Sequence, residues 1–267
     1  MSADRGDAGD DPDAGDARRT RDAGGPHNEP TTKTVDNPIE RAREFYATRP
    51  YYQRPIGYSE VPEGLPDLRA ETCGSCHEAI YREWKISTHR RAWTQDPQFM
   101  AEFAKSRRGG HAGEKSDDVS WMCVTCHTPM INQMERLTIG LRGGDIGEPI
   151  YVDNPSFDPK MQDDAITCAA CHVRNGTVYG PWGNTDAPHP TAKDPTLRSA
   201  KQCTQCHQAN AKWPSRNLAC FFNTGDQFAK TKYAAEGKRC QSCHMPTVER
   251  KLAEDYDRPK RKTRRHW

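Results

Sequence analysis

Cys168-Ala-Ala-Cys171-His172 is one of five segments in which two residues separate a pair of cysteines and a histidine follows directly. This spacing is typical of haem c attachment, because two thiols a short turn apart each form a thioether to one porphyrin vinyl group. The adjacent histidine then binds the iron from the proximal side. We therefore expect five covalently attached c-type haems. The other four segments are Cys73-Gly-Ser-Cys76-His77, Cys123-Val-Thr-Cys126-His127, Cys203-Thr-Gln-Cys206-His207 and Cys240-Gln-Ser-Cys243-His244.

Zinc is the main alternative, since pairs of cysteines at this spacing also build tetrahedral thiolate sites. Such a site takes two pairs and needs no histidine at the next position, so five pairs would leave one without a partner. Five histidines placed in this way by chance have a probability on the order of 10⁻⁷. A zinc- or disulfide-stapled binding module is therefore the alternative that the motifs favour less.

The chain is poor in apolar side chains for its 267 residues, with 34% hydrophobic residues and a mean hydropathy of −1.00. Such a composition does not build an ordinary interior of that size. Bound haems would remove the shortage, because each macrocycle is a large apolar disc that a thin polypeptide can wrap. We expect a mostly α fold with long irregular loops around covalently bound haems and little or no sheet. The apo chain is not expected to fold.

Composition divides the chain into two regions. Residues 1–37 are rich in Asp, Gly, Ala and Pro without apolar periodicity, and they predict a disordered acidic leader. Order is expected to begin at Pro38, so that a domain with the five haem motifs spans residues 38–267.

Three helices are predicted between the motifs from the absence of helix breakers and from capping residues. Residues 141–164 are rich in Gly, Pro and Asp, and we expect them to form a loop. The predicted helices run from Glu78 to Trp93, from Asp96-Pro97 to Gly109-Gly110, and from a capping box at Thr224–Gln227 to Gly237.

The charge of the chain gives little information about its binding partners. The formal net charge is +2, and six basic residues with no acidic residue occur from Arg258 to the end. This run is either a solvated basic tail, a segment over haem propionates or a docking site for an acidic redox partner. No nucleic-acid motif accompanies it, so no nucleic-acid binding is expected.

The sequence shows no transmembrane segment, and its first 30 residues contain no apolar signal-peptide region. Covalent haem attachment takes place outside the bacterial cytoplasm. We therefore expect a periplasmic or extracellular protein whose signal peptide is not part of this sequence.

Five histidines lie outside the motifs, as many as there would be sixth coordination positions. His89 follows His77 by 12 residues on the same predicted helix, so it is expected to bind the iron of a neighbouring haem. His189 lies between two prolines, on a stiffened segment that would hold an imidazole in place. His111 and His266 are further candidate ligands, and His27 is expected to be a solvated residue of the leader.

Sulfur-containing residues outside the motifs are expected to be structural. Met130, Met134 and Met245 lie near motifs, where packing against a porphyrin edge is the favoured role. Cys220 belongs to no pair and is expected to be a buried small hydrophobe, with an axial thiolate or an intermolecular disulfide as alternatives.

The sequence resembles the multihaem cytochromes c related to the tetrahaem cytochrome of ammonia oxidation, to hydroxylamine oxidoreductase and to pentahaem nitrite reductase. The resemblance spans residues 70–267. It is carried by Glu83-Trp84-Lys-Ile-Ser87-Thr-His89, Cys123-Val-Thr-Cys-His-Thr-Pro129, Ile166-Thr-Cys-Ala-Ala-Cys-His-Val-Arg-Asn-Gly176, Gly180-Pro181, Pro188-His189-Pro190, Cys240-Gln-Ser-Cys-His-Met-Pro246 and Arg264-Arg265-His266.

The resemblance implies a pentahaem cytochrome c in which His89 and His189 are distal ligands. In relatives the segment around His266 often continues, which implies a truncated or divergent member here. One haem in the group can lack a sixth ligand, and enzymatic members bind substrate at that open position. The active haem of the nitrite reductases is attached through CxxCK, a motif absent from this sequence, which argues against nitrite reduction.

We expect respiratory electron transfer by a multihaem cytochrome c, with no catalytic residues. Redox partner proteins are expected, such as other multihaem cytochromes or a quinol-oxidising membrane complex. The alternative is an oxidoreductase that acts on a small nitrogen or sulfur oxyanion at one five-coordinate haem. The second motif is the first candidate for that haem, because its loop offers no obvious distal ligand.

Overall fold

A computed structural model describes residues 37–107, 117–183, 185–213 and 218–267. The described elements belong to one unit that begins at residue 36. Its helices are short: α1 Pro38–Ala47, α2 Ala70–Gly74, α3 Glu78–Ile86, α4 Thr88–Arg91, α5 Pro97–Ser106, α6 Ser120–His127, α7 Pro159–Asp163, α8 Cys168–His172, α9 Lys201–Thr204, α10 Thr224–Ala229, α11 Lys232–Ala235 and α12 Cys240–His244. Short 3₁₀ helices occupy Tyr51–Gln53, Ile131–Gln133, Arg142–Gly144 and Pro195–Arg198.

In the described ranges, nine strands form four small sheets. Three sheets are antiparallel pairs, β1–β2, β6–β7 and β8–β9, and in the fourth β4 pairs antiparallel with β3 and parallel with β5. The expectation of a mostly α fold with little or no sheet is therefore wrong. The strands are β1 Arg136–Leu141, β2 Pro149–Asp153, β3 Val173–Arg174, β4 Thr177–Gly180, β5 Thr191–Lys193, β6 Gln208–Trp213, β7 Leu218–Asn223, β8 Thr247–Arg250 and β9 Arg261–Arg264.

Two strands form hydrogen bonds for the backbone directly after a haem motif. β3 starts directly after His172, and β6 starts directly after His207. Along β6 the buried Ala209, Ala211 and Trp213 alternate with exposed residues, as expected of a strand with one face toward the interior. Two of the three buried residues are alanines, so this alternation gives only a weak signal in the sequence.

Asx-Pro dipeptides begin several helical segments, because the Asx side chain accepts a backbone N–H and proline fits the first turn. Asp96 accepts the N–H of Phe99 at 2.9 Å and starts α5, as predicted. Asp158 accepts the N–H groups of Lys160 and Met161 and starts α7. This helix and strand β2 occupy most of residues 149–163, so the prediction of a loop over 141–164 is wrong.

The helix predicted from Glu78 to Trp93 is two helices. Ser87 has extended dihedrals, and its hydroxyl accepts the N–H of Arg90 at 3.3 Å, so it ends α3 and caps α4. The break places His89 on a separate short helix, where its carbonyl accepts the N–H of Ile166.

The helix predicted from Thr224 to Gly237 is also divided, into α10 and α11. The N-cap of α10 is Asn223, and the N–H groups of Gly225 and Asp226 donate to the side chain of Gln208 at 3.0 and 3.3 Å instead of to a capping box. Gly237 has φ +72° and follows α11, which confirms it as a helix stop. The predicted stop at Gly109-Gly110 lies outside the described residues, and α5 ends at Ser106.

The apolar interior is divided into three clusters. The largest packs α1 against α6 and β1 through Tyr46, Trp121 and Leu137. The second surrounds the third motif, and the third holds Trp93 and Phe103. Within the ranges that the structure describes, no helix has the length and apolar character needed to cross a bilayer.

Candidate haem sites

Each cysteine motif lies on about one turn of helix. His77 donates its backbone N–H to the carbonyl of Cys73 at 3.0 Å, and His207 donates to Cys203 at 2.9 Å. Residues i, i+3 and i+4 of a helical turn share one face, so both thiols and the imidazole of a motif point to the same side. All eleven cysteines are free of disulfides, which leaves the motif thiols available for thioethers.

Backbone carbonyls fix the tautomer of three motif histidines. The Nδ1 atoms of His77, His127 and His172 lie 2.8, 2.5 and 2.8 Å from the carbonyl oxygens of Leu252, Ala92 and Tyr179. A carbonyl oxygen only accepts hydrogen bonds, so Nδ1 carries the proton in each case. The lone pair is then on Nε2, the arrangement found in metal-bound histidines.

Two histidine pairs each join a motif histidine to a histidine from elsewhere in the chain. The ring centres of His89 and His207 are 6.3 Å apart, and those of His172 and His266 are 6.2 Å apart. With metal–nitrogen bonds of about 2.0–2.1 Å and a nitrogen about 1.2 Å from its ring centre, two imidazoles on opposite sides of one iron have centres about 6.4–6.6 Å apart, within a few tenths of an ångström of both observed distances. The spacing therefore fits one iron between each pair.

His266 has the same tautomer as the motif histidines, because its Nδ1 donates to the carbonyl of Arg264 at 2.9 Å. Burial, followed by the neighbouring imidazole of His172, lowers the pKa of His266 to about 4. Burial also lowers the pKa of His172 and of His89. All three imidazoles are thus kept neutral at neutral pH, the state in which histidine binds metals.

His189 lies near His77, the histidine of the first motif. Burial is the main cause that lowers the pKa of His189, and the charge of His77 lowers it further. Gly64 packs against the segment of His189. It has φ +84°, and a Cβ at this position would overlap the carbonyl of Pro188. The carbonyl of Pro190 accepts the N–H of Val178 at 3.0 Å, which ties the other end of the segment to β4.

The other predicted ligands are not paired in this way. His127 stacks on Phe99 with ring centres 3.6 Å apart and an angle of 11° between the planes. His244 is exposed and interacts electrostatically with His207. His111 and His27 lie outside the described residues.

Sulfur atoms outside the motifs have varied environments. Met130 and Met134 are buried in the apolar clusters, where they fill space. Cys220 is exposed on β7, so the expectation that it is buried is wrong.

Thiols of different motifs meet in the interior. The thiol of Cys73 is next to that of Cys168, the thiol of Cys126 is next to that of Cys206, and the thiol of Cys203 is next to that of Cys240. The first motif is therefore next to the third, and the fourth is next to both the second and the fifth. This contact order could not be inferred from the sequence, because each pair joins distant segments.

Several buried polar atoms beside the motifs have no hydrogen-bond partner, which is costly in a folded protein unless another group satisfies them. The hydroxyl of Thr128 follows His127, that of Thr167 precedes Cys168, and the Oε1 of Gln241 follows Cys240. No group of three His, Cys, Asp or Glu side chains able to hold a metal ion occurs in the described parts of the chain. Two thiols and an imidazole on one side of a helical turn are the donor set that haem c takes.

Comparison with known proteins agrees with these features. Residues 72–142, which contain the first two motifs and His89, match the family described as cytochrome c554 and c-prime. This match confirms the resemblance to multihaem cytochromes c. A comparison with curated proteins gives no match.

A solved structure, a penta-heme cytochrome c552 from Thermochromatium tepidum, aligns with the chain at 18% sequence identity and a TM-score of 0.43. The alignment covers 70% of this chain and 55% of that one. The chain therefore spans about half the length of this solved cytochrome.

The aromatic contact at His127 gives a first prediction. We expect Phe99→Leu to alter the spectrum of one haem without changing the number of haems, because Leu cannot stack on the imidazole that the carbonyl of Ala92 orients. Magnetic circular dichroism of the matured protein would measure the change, with Phe221→Leu, at an exposed phenylalanine, as control. Identical spectra for Phe99→Leu and the wild type would contradict the role assigned to the stack.

Proposed function

We propose that the chain transfers electrons through five covalently attached c-type haems, one at each CxxCH motif. The single observation that carries this proposal is the spacing of the two histidine pairs, His89 with His207 and His172 with His266. A haem iron bound between the two rings of a pair would have a histidine on each side, which would leave no position open for a substrate. Saturated axial positions are what an electron carrier needs.

The chain's own residues would prepare the sites for this role. When bound, haem supplies a one-electron iron couple whose potential depends on axial ligand, hydrogen bonding and burial. The backbone carbonyls that accept from Nδ1 of His77, His127 and His172 would leave each Nε2 free to bind iron. These hydrogen bonds would also raise the basicity of the imidazole as a ligand. His189 is the proposed distal ligand at the first motif.

The contacts between motif thiols support transfer among the haems. Haems attached at the first and third motifs would be neighbours, and those at the fourth would adjoin the second and the fifth. Cys171 of the third motif lies near Cys203 and Cys206 of the fourth, so the two groups of haems would adjoin there. We propose a periplasmic or extracellular protein in a respiratory chain that exchanges electrons with other redox proteins.

The haem number tests this proposal directly. Natively matured protein is expected to give five haems per chain by the pyridine haemochrome assay and by intact mass. Replacing Cys240 and Cys243 by serine should reduce the number to four, because the fifth motif is peripheral and its loss spares the other sites. Cys220→Ser is the matched control and should retain five haems. A number that does not depend on Cys240 and Cys243 would contradict covalent attachment at this motif.

The second candidate function is reduction or oxidation of a small nitrogen or sulfur oxyanion at the second motif. It is favoured by the environment of His127, whose ring contacts Phe99 and which is paired with no histidine of the described ranges. A high-spin ferric signal that shifts on addition of nitrite, hydroxylamine or sulfite would support this candidate. Spectra that stay low-spin with all three would reject it.

A further inference from the structure

A buried carboxylate connects helix α3 to the last residues of the chain. Glu83 is 7% exposed, and Arg250 on β8 donates to both of its oxygens, at 2.8 and 3.1 Å. Arg265 donates to Oε1 at 2.7 Å, and the backbone N–H of His266 donates to Oε2 at 3.0 Å. A carboxylate that is removed from water is costly unless charged donors satisfy it, and here two guanidinium groups do so.

This arrangement fixes the backbone at His266 from both directions. Glu83 holds the N–H of His266, while the carbonyl of Pro246 accepts the N–H of Arg265 at 3.0 Å. The ring of His266 is then oriented by the carbonyl of Arg264. These bonds fix both the backbone and the ring of His266. The centre of its imidazole ring then lies 6.2 Å from the ring centre of His172.

Helix α3, which carries Glu83, is also connected to the other histidine pair. Ser87 joins the end of α3 to α4, the short helix that contains His89. The indole N–H of Trp84, next to Glu83, donates to the carbonyl of Ile166 at 2.9 Å. The N–H of Ile166 donates in turn to the carbonyl of His89 at 3.2 Å. One helix therefore contacts the segments of two candidate distal ligands, but only His266 is bonded to the carboxylate itself.

We propose that Glu83 is a positioning residue that holds His266 opposite His172 as the sixth ligand of the third haem. The inference rests on the proposed function, since it needs a haem at the third motif. Glu83 acts through the backbone of His266 and not through contact with the iron. Loss of the carboxylate would free the chain after β9 and open one axial position.

The alternative is that Glu83 only stabilises the fold through its two arginines. In that case substitution would lower the melting temperature and leave the axial ligands in place. A spectroscopic readout separates the two roles, because a haem that loses an axial histidine becomes high-spin or binds an added ligand.

The experiment uses the natively matured full chain with Glu83→Ala and Glu83→Gln. We expect Glu83→Ala to convert about one haem in five to a high-spin ferric form by electron paramagnetic resonance, and added imidazole to restore the low-spin signal. Glu83→Gln should show a smaller high-spin fraction, because the amide oxygen can still accept the His266 N–H. Glu78→Gln, on the same helix and paired with Arg82, is the matched control and should keep the high-spin fraction of the wild type.

A third variant tests the same inference if Glu83→Ala folds poorly. His266→Ala should give the same high-spin fraction, and adding Glu83→Gln to it should cause no further conversion. A high-spin fraction in Glu83→Ala that equals that of the wild type, with a lower melting temperature, would overturn the inference. A haem number below five in the wild type would instead overturn the proposed function, so the two failures are distinguishable.

Discussion

Expression of this chain without haem attachment is expected to yield an unfolded polypeptide. The apolar interior consists of three clusters with ten, six and three buried residues, and ordering each residue costs about 1–2 kcal/mol of conformational entropy. Clusters of this size do not offset that cost over the whole unit. Binding of haem would therefore supply folding free energy, as metal binding does in small metal-dependent domains.

The measurement compares cytoplasmically expressed, haem-free chain with the matured protein. Far-UV circular dichroism of the haem-free chain should lack the helical signal, and urea should produce no cooperative transition. The matured protein is the control and should unfold in one sigmoidal transition. Coincident sigmoidal transitions for the haem-free chain by two probes would show that the polypeptide folds alone, contrary to this prediction.

Gly64→Ala is expected to destabilise the matured protein by about 2–4 kcal/mol and to displace His189. At φ +84° a Cβ would overlap the carbonyl oxygen of Pro188 and lie 3.2 Å from its carbon. The positive φ costs about 1–3 kcal/mol for a residue other than glycine, and overpacking costs a similar amount. Because Pro188 precedes His189 directly, relief of the overlap would move the imidazole away from His77.

Thermal unfolding and the spin state of the haems measure the two effects. A fall in melting temperature of about 4–16 °C is expected, since 1 kcal/mol corresponds to about 2–4 °C in a chain of this size. Gly57→Ala is the control, because a Cβ there meets nothing within 4 Å and the glycine has no positive φ. An unchanged melting temperature together with unchanged low-spin spectra in Gly64→Ala would refute this role of Gly64.

The features that could be predicted from the sequence are those that depend on residues close together in the chain. The five motifs, the start of α5 at Asp96 and the helix stop at Gly237 are local signals, and the structure confirms the start of α5 and the stop at Gly237. Asp158-Pro159 is the same signal as Asp96-Pro97, and it would have revealed α7 within the stretch predicted to be loop.

The strands were missed for a physical reason. They have two to six residues, and most pair with a partner beyond a turn or a motif, so their stability comes from the partner more than from local propensity. β2 contains Ile150, Tyr151 and Val152 in succession, which is the strongest strand signal that was overlooked.

Long-range contacts account for the rest of the site. The ion pair between Glu83 and Arg250 joins residues 167 positions apart, and the bond from His266 to Glu83 joins residues 183 positions apart. The sequence offered His89 and His266 as ligands, but no local pattern showed that His207 and His172 are the histidines that they face.

The residues between the cysteines of the third motif differ from those of a peripheral motif. Ala169 and Ala170 are both almost completely buried, whereas in the fifth motif Gln241 is buried and Ser242 is exposed. A haem attached at the third motif would be shielded from water on the side of these alanines, so fewer water dipoles would reorient when its charge changes and its reorganisation energy would be smaller. Electrons would then enter and leave the protein more readily at an exposed motif such as the fifth.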